Sequence, residues 1–407
     1  MTADHRPSIF QNLRALPPPV WVLFAGSFVN RFGSFVMPFL ILYLTKQGYS
    51  ISEAGIAVGA YGAGHFFASL IGGHLADRIG RRNTIALSMF SSAITMLVLS
   101  QVHAYWVIVF MSFLAGTASE MYRPAAHALI GDLVPLEHRV AAFGMYRFAI
   151  NLGFAAGPAT AGFLADRSFL YLFVGDAMTS IGYGIIALLF LPHGLRTYEK
   201  HERSGEALRV ALRDRPFLLF LAGSICLATI DFQIPSTVAL HVKLAGFPSS
   251  VYGMLISLNG ILIVTCELTI IAFIQRYPPR PFIAIGYLLA GLGVALTGVS
   301  FTIPALAATV VIWTLGEMIS SPAAAAYATQ LAPEKYRGRY MGIWVMTWAV
   351  GMVAGPALGT LVLERNPLLL WGSIGILGIV GAALIMVRPQ RGAAAITAAA
   401  PSPDPET

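Results

Sequence analysis

The sequence predicts an all-α integral membrane protein whose twelve transmembrane helices form two pseudo-symmetric six-helix bundles. Three observations support this prediction: apolar runs of membrane-spanning length recur along nearly the whole chain, basic residues cluster in every second connection, and the second half repeats the first. Only 11% of the residues are charged and 57% are hydrophobic, whereas about a quarter of the residues of a soluble domain are charged. This composition excludes an ordinary soluble protein.

The apolar runs define twelve spans, because each approaches the ~20 residues that an α-helix needs to cross the hydrocarbon core. The predicted spans are residues 20–44, 51–76, 83–101, 104–127, 138–164, 169–191, 216–241, 250–274, 281–299, 302–325, 338–363 and 367–387. They group into an N-terminal bundle at 20–191 and a C-terminal bundle at 216–387. The other segments are a cytoplasmic N-terminal segment at 1–19, a linker at 192–215 and an Ala/Pro-rich tail at 388–407, which is expected to be disordered. Mixed charges at helical spacing fit either a short surface helix or a solvated tether for the linker.

The basic residues predict the orientation. If both termini are cytoplasmic, the outer loops contain only Lys46, Arg167, Lys243 and Arg365, and the other basic residues outside the spans fall on the inner side. The positive-inside rule therefore places both termini in the cytoplasm, and we expect a multi-pass protein of the bacterial inner membrane. The net charge of +7 comes from these basic residues on the cytoplasmic side, so nucleic-acid binding is not expected. No cleavable signal peptide is expected either, since the first 19 residues are polar and Pro-rich.

An internal repeat relates the two halves at an offset of 198 residues. The segment 124–126 (Pro-Ala-Ala) aligns with 322–324, and 157–159 (Gly-Pro-Ala) aligns with 355–357. A duplication of six spans is the parallel repeat of two-bundle transporters, in which the substrate is held near the midplane between the halves.

A second signal is the stretch Gly72-Gly73-His74-Leu75-Ala76-Asp77-Arg78-Ile79-Gly80-Arg81-Arg82, called here the signature loop. The first two glycines are predicted to let a helix end pack closely against a neighbour, and Gly80 is predicted to turn the chain. Arg81 and Arg82 would hold this turn in the cytoplasmic headgroup layer. At the end of span four, Asp132 is predicted to pair with one of these two arginines.

The ordered pattern G-x-L-A-D-R-x-G-R-R in this loop resembles the signature of the major facilitator superfamily between spans two and three. The resemblance implies a loop that latches the two halves of a transporter when the cytoplasmic side is closed. It also implies that Asp77 meets the positive N-terminal end of span eleven. The residues assigned to the latch are Gly73, Asp77, Arg78, Gly80, Arg81, Arg82 and Asp132.

Span five carries a small-residue motif formed by Gly153, Gly157, Pro158 and Gly162. Its spacing permits close helix contact and a local bend, although ordinary small-residue packing would explain it too. The spacing resembles the antiporter motif of the superfamily's twelve-span drug:proton exporters, and the segment around Glu317 in span ten resembles the same group. This resemblance implies membrane acids that bind protons and cationic drugs.

Acids inside the spans are candidates for proton coupling, because a charge in hydrocarbon costs at least ~2.5 kcal/mol on insertion scales. Asp231 of span seven and Glu317 of span ten are predicted to carry protons, since no basic residue lies inside a span of the second half beyond Arg339 at the cytoplasmic edge of span eleven. Pairing of either acid with Arg31 is the alternative. Glu120 of span four is a third candidate.

The remaining polar residues of the spans predict a substrate cavity. Its expected lining is Asn30, Arg31, Arg123, Arg147 and Gln233, and tryptophans such as Trp344 and Trp348 are candidates to contact flat lipophilic molecules. An equally good interpretation of Glu120, Arg123 and Arg147 is a structural cluster whose charges pair with one another. His65 of span two is expected to be a packing residue.

Taken together, these features predict a secondary active transporter that exports small, lipophilic, drug-like compounds in exchange for protons by alternating access. The expected partners are the substrate, protons and the lipid bilayer, and the protein is expected to be monomeric with no cofactor or metal ion. The alternative is proton-coupled or uniport uptake of a sugar, a peptide or an organic anion, with Arg31 and Arg123 as an anion clamp. A membrane-embedded sensor or enzyme is disfavoured, because no nucleotide loop, catalytic Ser/His/Asp spacing or sizeable soluble domain is found.

Overall fold

The computed structural model describes residues 13–194 and 205–387, so the predicted disordered tail and part of the linker lie outside the described residues. The α-helices are α1 (Pro18–Phe32), α2 (Val36–Lys46), α3 (Ile51–Ile79), α4 (Arg81–Leu99), α5 (Tyr105–Glu120), α6 (Tyr122–Leu133), α7 (Arg139–Arg167), α8 (Leu170–Phe190), α9 (Gly205–Ala211), α10 (Arg215–Asp231), α11 (Ala239–Leu244), α12 (Ser249–Ile274), α13 (Pro279–Thr297), α14 (Ile303–Leu331), α15 (Arg337–Arg365) and α16 (Pro367–Met386). A π-helical turn (Ile234–Val238) joins α10 to α11. Short helix α9 lies in the predicted linker.

The helices confirm the predicted all-α membrane fold. In the described part of the chain, eleven helical segments are long and apolar enough to cross a membrane. The remaining predicted span, at 104–127, forms the two abutting helices α5 and α6. Each of the twelve predicted spans therefore has a helical counterpart. Span one consists of α1 and α2, and span seven of α10, the π-helical turn and α11.

Prolines explain why spans one, four and seven are interrupted. A proline inside a helix removes one backbone hydrogen bond and clashes with the carbonyl four residues earlier. Pro124 lies four residues after Glu120, where α5 ends, and Pro235 lies four residues after Asp231, where α10 ends. Pro38 similarly prevents a regular helix through the residues that follow α1. Two of these three breaks thus fall at a membrane acid.

The chain divides into two compact units. Unit 1 comprises residues 13–194 and Val242–Val264, and unit 2 comprises residues 205–241 and 265–387. The predicted bundles at 20–191 and 216–387 therefore differ from the units by the segment Val242–Val264. This segment belongs to unit 1 because it packs on span five: the Asp166 carboxylate accepts the Ser249 N–H at 2.6 Å and the Ser250 N–H at 3.1 Å.

The small-residue motif of α7 permits close contact with two different helices of unit 1. A Cβ atom on Gly153 would lie 2.8 Å from the Phe28 carbonyl oxygen, and one on Gly157 would lie 2.5 Å from that of Phe32. On the other side, a Cβ on Gly162 would lie 2.7 Å from the Ser249 carbonyl oxygen at the start of α12. The motif thus brings the backbones of spans one and eight against span five. Pro158 lies inside α7 without interrupting it.

We expect Gly157→Ala to destabilise the protein by about 1–3 kcal/mol, the usual cost of forcing extra volume into a packed contact. Gly144→Ala on the same helix is the matched control, because a Cβ there meets no atom within 4 Å. Alanine raises helix stability by roughly 0.5–1 kcal/mol relative to glycine, so the control should unfold at an equal or higher temperature. Thermal unfolding of the two detergent-purified variants compares them; equal Tm values would contradict the packing role.

Candidate functional site

Four ionisable side chains meet in the interior of unit 1 and are called here the charge cluster: Arg31, His65, Glu120 and Arg123. The Glu120 carboxylate lies 2.6 Å from Arg123 Nε, 3.0 Å from His65 Nε2 and 3.4 Å from Arg31 Nη2. Its side chain is 10% exposed. One carboxylate therefore interacts with three basic groups from three other positions in the fold.

Local structure brings these residues together. Arg31 occupies the last turn of α1, Glu120 ends α5 and Arg123 begins the next helix. Spans two and four approach closely because Gly64 and Gly116 leave no side chain between the two backbones, and the Tyr61 hydroxyl lies 2.9 Å from the Ser119 hydroxyl. This contact places His65 beside Glu120.

The charge cluster has more positive than negative charge. With both guanidinium groups charged and Glu120 ionised, its net charge is positive before His65 takes up a proton. The buried Nε atom of Arg31 has no hydrogen-bond acceptor of suitable geometry within the described residues. The cluster is therefore able to receive an additional anionic or acceptor group.

Three residues predicted to line the cavity have other surroundings. Asn30 is buried and directs its amide nitrogen at the Met89 sulfur, 3.3 Å away. Gln233 is 2% exposed, and its amide group bonds the Gly355 carbonyl and the Thr237 hydroxyl. Protein groups thus satisfy the polar atoms of Gln233. Arg147 is exposed.

The sequence predicts a hydrogen-bonded packing residue at His65, rather than a proton relay, but does not identify its partner. His65 contacts Glu120 directly and its side chain is 29% exposed. The available signal was the glycine at position 64, which marks the face of span two that approaches span four.

The acids of unit 2 lie in a different electrostatic environment. Asp231 ends α10 next to the π-helical turn, and it is close enough to Glu317 of α14 for the two carboxyl groups to repel each other when ionised. Every Lys and Arg in the described part of unit 2 lies at or beyond a helix end. No fixed cation of the described part of unit 2 thus lies inside a span beside this acid pair.

Unit 2 also contains a small cavity of about 40 Å³ with an aromatic lining. Trp344 Nε1 donates to the Ser224 hydroxyl at 3.2 Å, and that hydroxyl lies 3.3 Å from the Tyr287 hydroxyl. The full lining is Ser224, Leu227, Tyr287, Ser321, Ala324, Trp344 and Trp348. Tyr287 interacts electrostatically with Asp231, so one of the acids lies near this cavity.

The signature loop forms an ion-pair network at the end of span two. Gly80 adopts a positive φ of 92°, which turns the chain between α3 and α4. Arg81 pairs with Asp77 at 2.8 Å and with Asp132 at 3.3 Å, so the contact expected between Asp132 and an arginine of the loop is present. Arg82 Nη2 lies 2.6 Å from His193 Nε2, at the start of the linker.

The two glycines that open this loop differ. A Cβ on Gly72 would overlap the backbone of Met121, whereas a Cβ on Gly73 meets no atom within 4 Å. The prediction that Gly73 permits close packing is therefore wrong, because it lies on a less crowded side of α3. Arg78 is exposed.

The fold and these buried charges define a multi-pass membrane transporter. The sequence profile of the Major Facilitator Superfamily matches residues 23–266 and 226–405. The chain belongs to this superfamily, whose members are transporters rather than enzymes, and the resemblance found in the signature loop is confirmed.

Several relatives match most of the chain. An uncharacterized MFS-type transporter, YqjV of Bacillus subtilis (strain 168), is 28% identical over 85% of this chain and 87% of its own length. A Na(+), Li(+), K(+)/H(+) antiporter of Planococcus maritimus is 23% identical over 81% and 85%. The multidrug resistance protein MdtH of Cronobacter sakazakii (strain ATCC BAA-894) is 25% identical over 83% and 86%.

Solved structures share the fold. A POT family transporter in complex with a thioalcohol-conjugated peptide superposes with a TM-score of 0.76, at 19% identity over 92% of this chain and 98% of that chain. The nucleoside transporter NupG (D323A mutant) superposes with a TM-score of 0.75, at 16% identity over 90% and 99%.

We expect Glu120→Gln to destabilise the protein by about 3–5 kcal/mol, the usual cost of leaving buried charges without their partner. Asp77→Asn is the control, since Asp77 is 46% exposed and an exposed ion pair contributes about 0–1 kcal/mol. The measurement is thermal unfolding in detergent. Adding Arg123→Gln to the first variant should recover part of the lost stability; no recovery would argue against charge as the cause.

Proposed function

We propose that this protein exports small, lipophilic compounds in exchange for protons, as a monomeric secondary active transporter of the bacterial inner membrane with both termini in the cytoplasm. The observation that carries the proposal is the pair Asp231 and Glu317 in unit 2. Two carboxyl groups close together in a poorly hydrated site repel each other when both are ionised, and this repulsion favours the protonated form of one of them. Such a group takes up a proton on one side of the membrane and releases it where water has access.

The chemistry of the small aromatic cavity, rather than its size, supports a lipophilic substrate. Trp344 and Trp348 line it, and Ser224 and Tyr287 supply a small number of polar atoms. Binding sites for small molecules combine an apolar lining with few polar groups. The names of two relatives, one a multidrug resistance protein and one a cation/H(+) antiporter, fit export coupled to protons.

The charge cluster favours a second candidate function, the uptake of a nutrient with an anionic group. Its two arginines outnumber the single Glu120 carboxylate, and this excess positive charge suits a carboxylate or phosphate ligand. The solved transporters of similar fold include a peptide-bound one and a nucleoside transporter. Under this alternative, Arg31 and Arg123 would form the anion clamp.

The direction of coupling is tested in proteoliposomes with a panel of fluorescent cationic, neutral and anionic compounds. An antiporter accumulates its substrate when the lumen is acidic, because protons leave as the substrate enters. A symporter accumulates it when the outside is acidic, and a uniporter responds to neither gradient. Accumulation with an acidic exterior would replace the export proposal by the uptake candidate.

For the coupling acids, we expect Glu317→Gln to abolish gradient-driven accumulation and to leave gradient-free counterflow of the same compound. The physical reason is that an amide binds no proton in this pH range while keeping the shape of the site. Glu267→Gln, at another membrane acid of unit 2, is the matched control and should retain accumulation. Undiminished accumulation in the Glu317 variant would exclude it as a coupling group.

The signature loop is proposed to act as a conformational latch. We expect Asp77→Asn to slow substrate exchange in vesicles severalfold with little change in stability, because Arg81 keeps its second partner Asp132. His74→Gln, at an exposed position of the same loop that is not assigned to the latch, should exchange substrate at nearly the rate of the unmodified protein. An exchange rate unaltered by Asp77→Asn would contradict the latch.

A further inference from the structure

Asp176 of span six is a buried acid placed at the break in span one. Span one is not helical between Phe32 and Val36, so the first N–H groups of α2 have no partners within their own helix. Asp176 Oδ2 accepts the Val36 N–H at 3.4 Å, and the Phe35 N–H is also directed at this carboxyl group. The residue is only 5% exposed. The carboxyl group of span six therefore stabilises the start of the outer half of span one.

The break packs directly on span six. A side chain at Gly33 would overlap Thr179, and a Cβ on Gly175 would lie 2.9 Å from the Phe35 ring. Asp176 lies between Gly175 and Thr179 on span six and accepts a backbone N–H of the break. A change in its charge therefore acts on span one itself.

Few ionisable groups act on Asp176. Arg31 of α1 interacts with it electrostatically but pairs directly with Glu120, and Asp176 in turn acts on Tyr61 of span two. The elements packed against span six carry other ionisable side chains, which lie in the terminal turns of their helices or within the first third of span five. They are Tyr43 and Lys46 on α2, Arg81 and Arg82 on span three, and Arg139, Tyr146, Arg147, Asp166 and Arg167 on span five. Tyr171 and Tyr183 lie on span six itself.

Comparison with Glu120 shows which acid of unit 1 is suited to bind a proton. Protonating Glu120 would remove the anion that offsets Arg123, His65 and Arg31 at 2.6, 3.0 and 3.4 Å. Protonating Asp176 weakens hydrogen bonds from neutral groups, the backbone N–H groups and the Ser180 hydroxyl, and a longer-range interaction with Arg31. A buried charge without a directly paired cation is the more costly one to keep ionised.

The internal repeat provides a parallel. At the offset of 198 residues, Gly33 in the break of span one aligns with Asp231, which lies at the break of span seven. Each unit thus has a buried or half-buried aspartate at the interruption of its first span. In unit 2 the interrupted helix supplies it, and in unit 1 span six supplies it.

We propose that Asp176 is the residue of unit 1 that takes up and releases a proton during transport, and that this proton controls the break in span one. The inference rests on the proposed proton coupling. When the carboxylate binds a proton from the aqueous phase, the resulting neutral acid is a weaker acceptor for the Val36 N–H and no longer offsets Arg31. The start of α2 then loses its anion, and Arg31 depends on Glu120 alone. Release of the proton restores both contacts.

Infrared difference spectroscopy tests this inference on the purified, full-length protein without any substrate. Changing the pH across the neutral range should reveal the C=O stretching band of a buried carboxylic acid that gains and loses a proton. Asp231 and Glu317 would contribute components of their own, so we expect the component due to Asp176 to be absent in Asp176→Asn and retained in Glu120→Gln. Asp166→Asn is the matched control, because Asp166 also accepts backbone N–H groups but lies at the end of α7. In the unmodified protein, ¹³C-labelled aspartate should shift the band, and the band should persist in Asp231→Asn.

An unaltered band in Asp176→Asn would overturn the inference, as would a band that ¹³C-aspartate does not shift or that Asp231→Asn removes. If the Asp176 amide variant does not fold, Asp176→Glu replaces it, and the band should change position. The transport experiments on Glu317 are independent of this result. Loss of coupling in Glu317→Gln together with an unaltered band in Asp176→Asn would refute this inference and leave the export proposal standing.

Discussion

The structure depends on one constraint, the free-energy cost of holding a charge inside a membrane. The protein offsets this cost by placing buried charges at the breaks in its helices. A continuous helix satisfies its own backbone and leaves nothing to stabilise a buried carboxylate or guanidinium group. Where a proline interrupts a span, backbone groups become available and the chain changes direction locally. Glu120 and Asp231 each end a helix four residues before a proline, and Asp176 binds the N–H groups freed by the break in span one.

The two units began as one repeated sequence, yet they hold opposite electrostatic environments. Unit 1 surrounds a single glutamate with basic groups, whereas the spans of unit 2 contain acids and keep their described basic residues at helix ends. This difference fits a division of labour in which the charge cluster of unit 1 attracts negative charge, while Asp176 in unit 1 and the acid pair in unit 2 are the groups proposed to bind protons. It also explains why export and uptake remain the two physical alternatives: each unit, considered alone, supports a different ligand.

The sequence predicts the parts of this molecule that depend on local pattern. Span positions follow from the length of the apolar runs, and the Arg81–Asp132 contact follows from opposite charges at neighbouring span ends. The environment of a single polar residue does not follow, because it depends on which helix faces which. Gln233 is polar and within a span, so the sequence predicts a cavity residue, but the backbone around Gly355 occupies its amide group. His65 shows the converse, since only the close approach of spans two and four reveals that it touches an acid.

The segment Val242–Val264 has a consequence for how the protein can be divided. A gene cut at the linker would produce a first fragment that lacks this segment, although the segment packs on α7 of unit 1. The Asp166 carboxylate would then lose its two N–H donors. The backbone at Gly162 would also be exposed on a surface that the intact chain covers. Co-expressed fragments would have to recover that contact between separate polypeptides. The duplication in the sequence and the division by contacts therefore mark different boundaries, and only the second identifies a piece with its own complete packing.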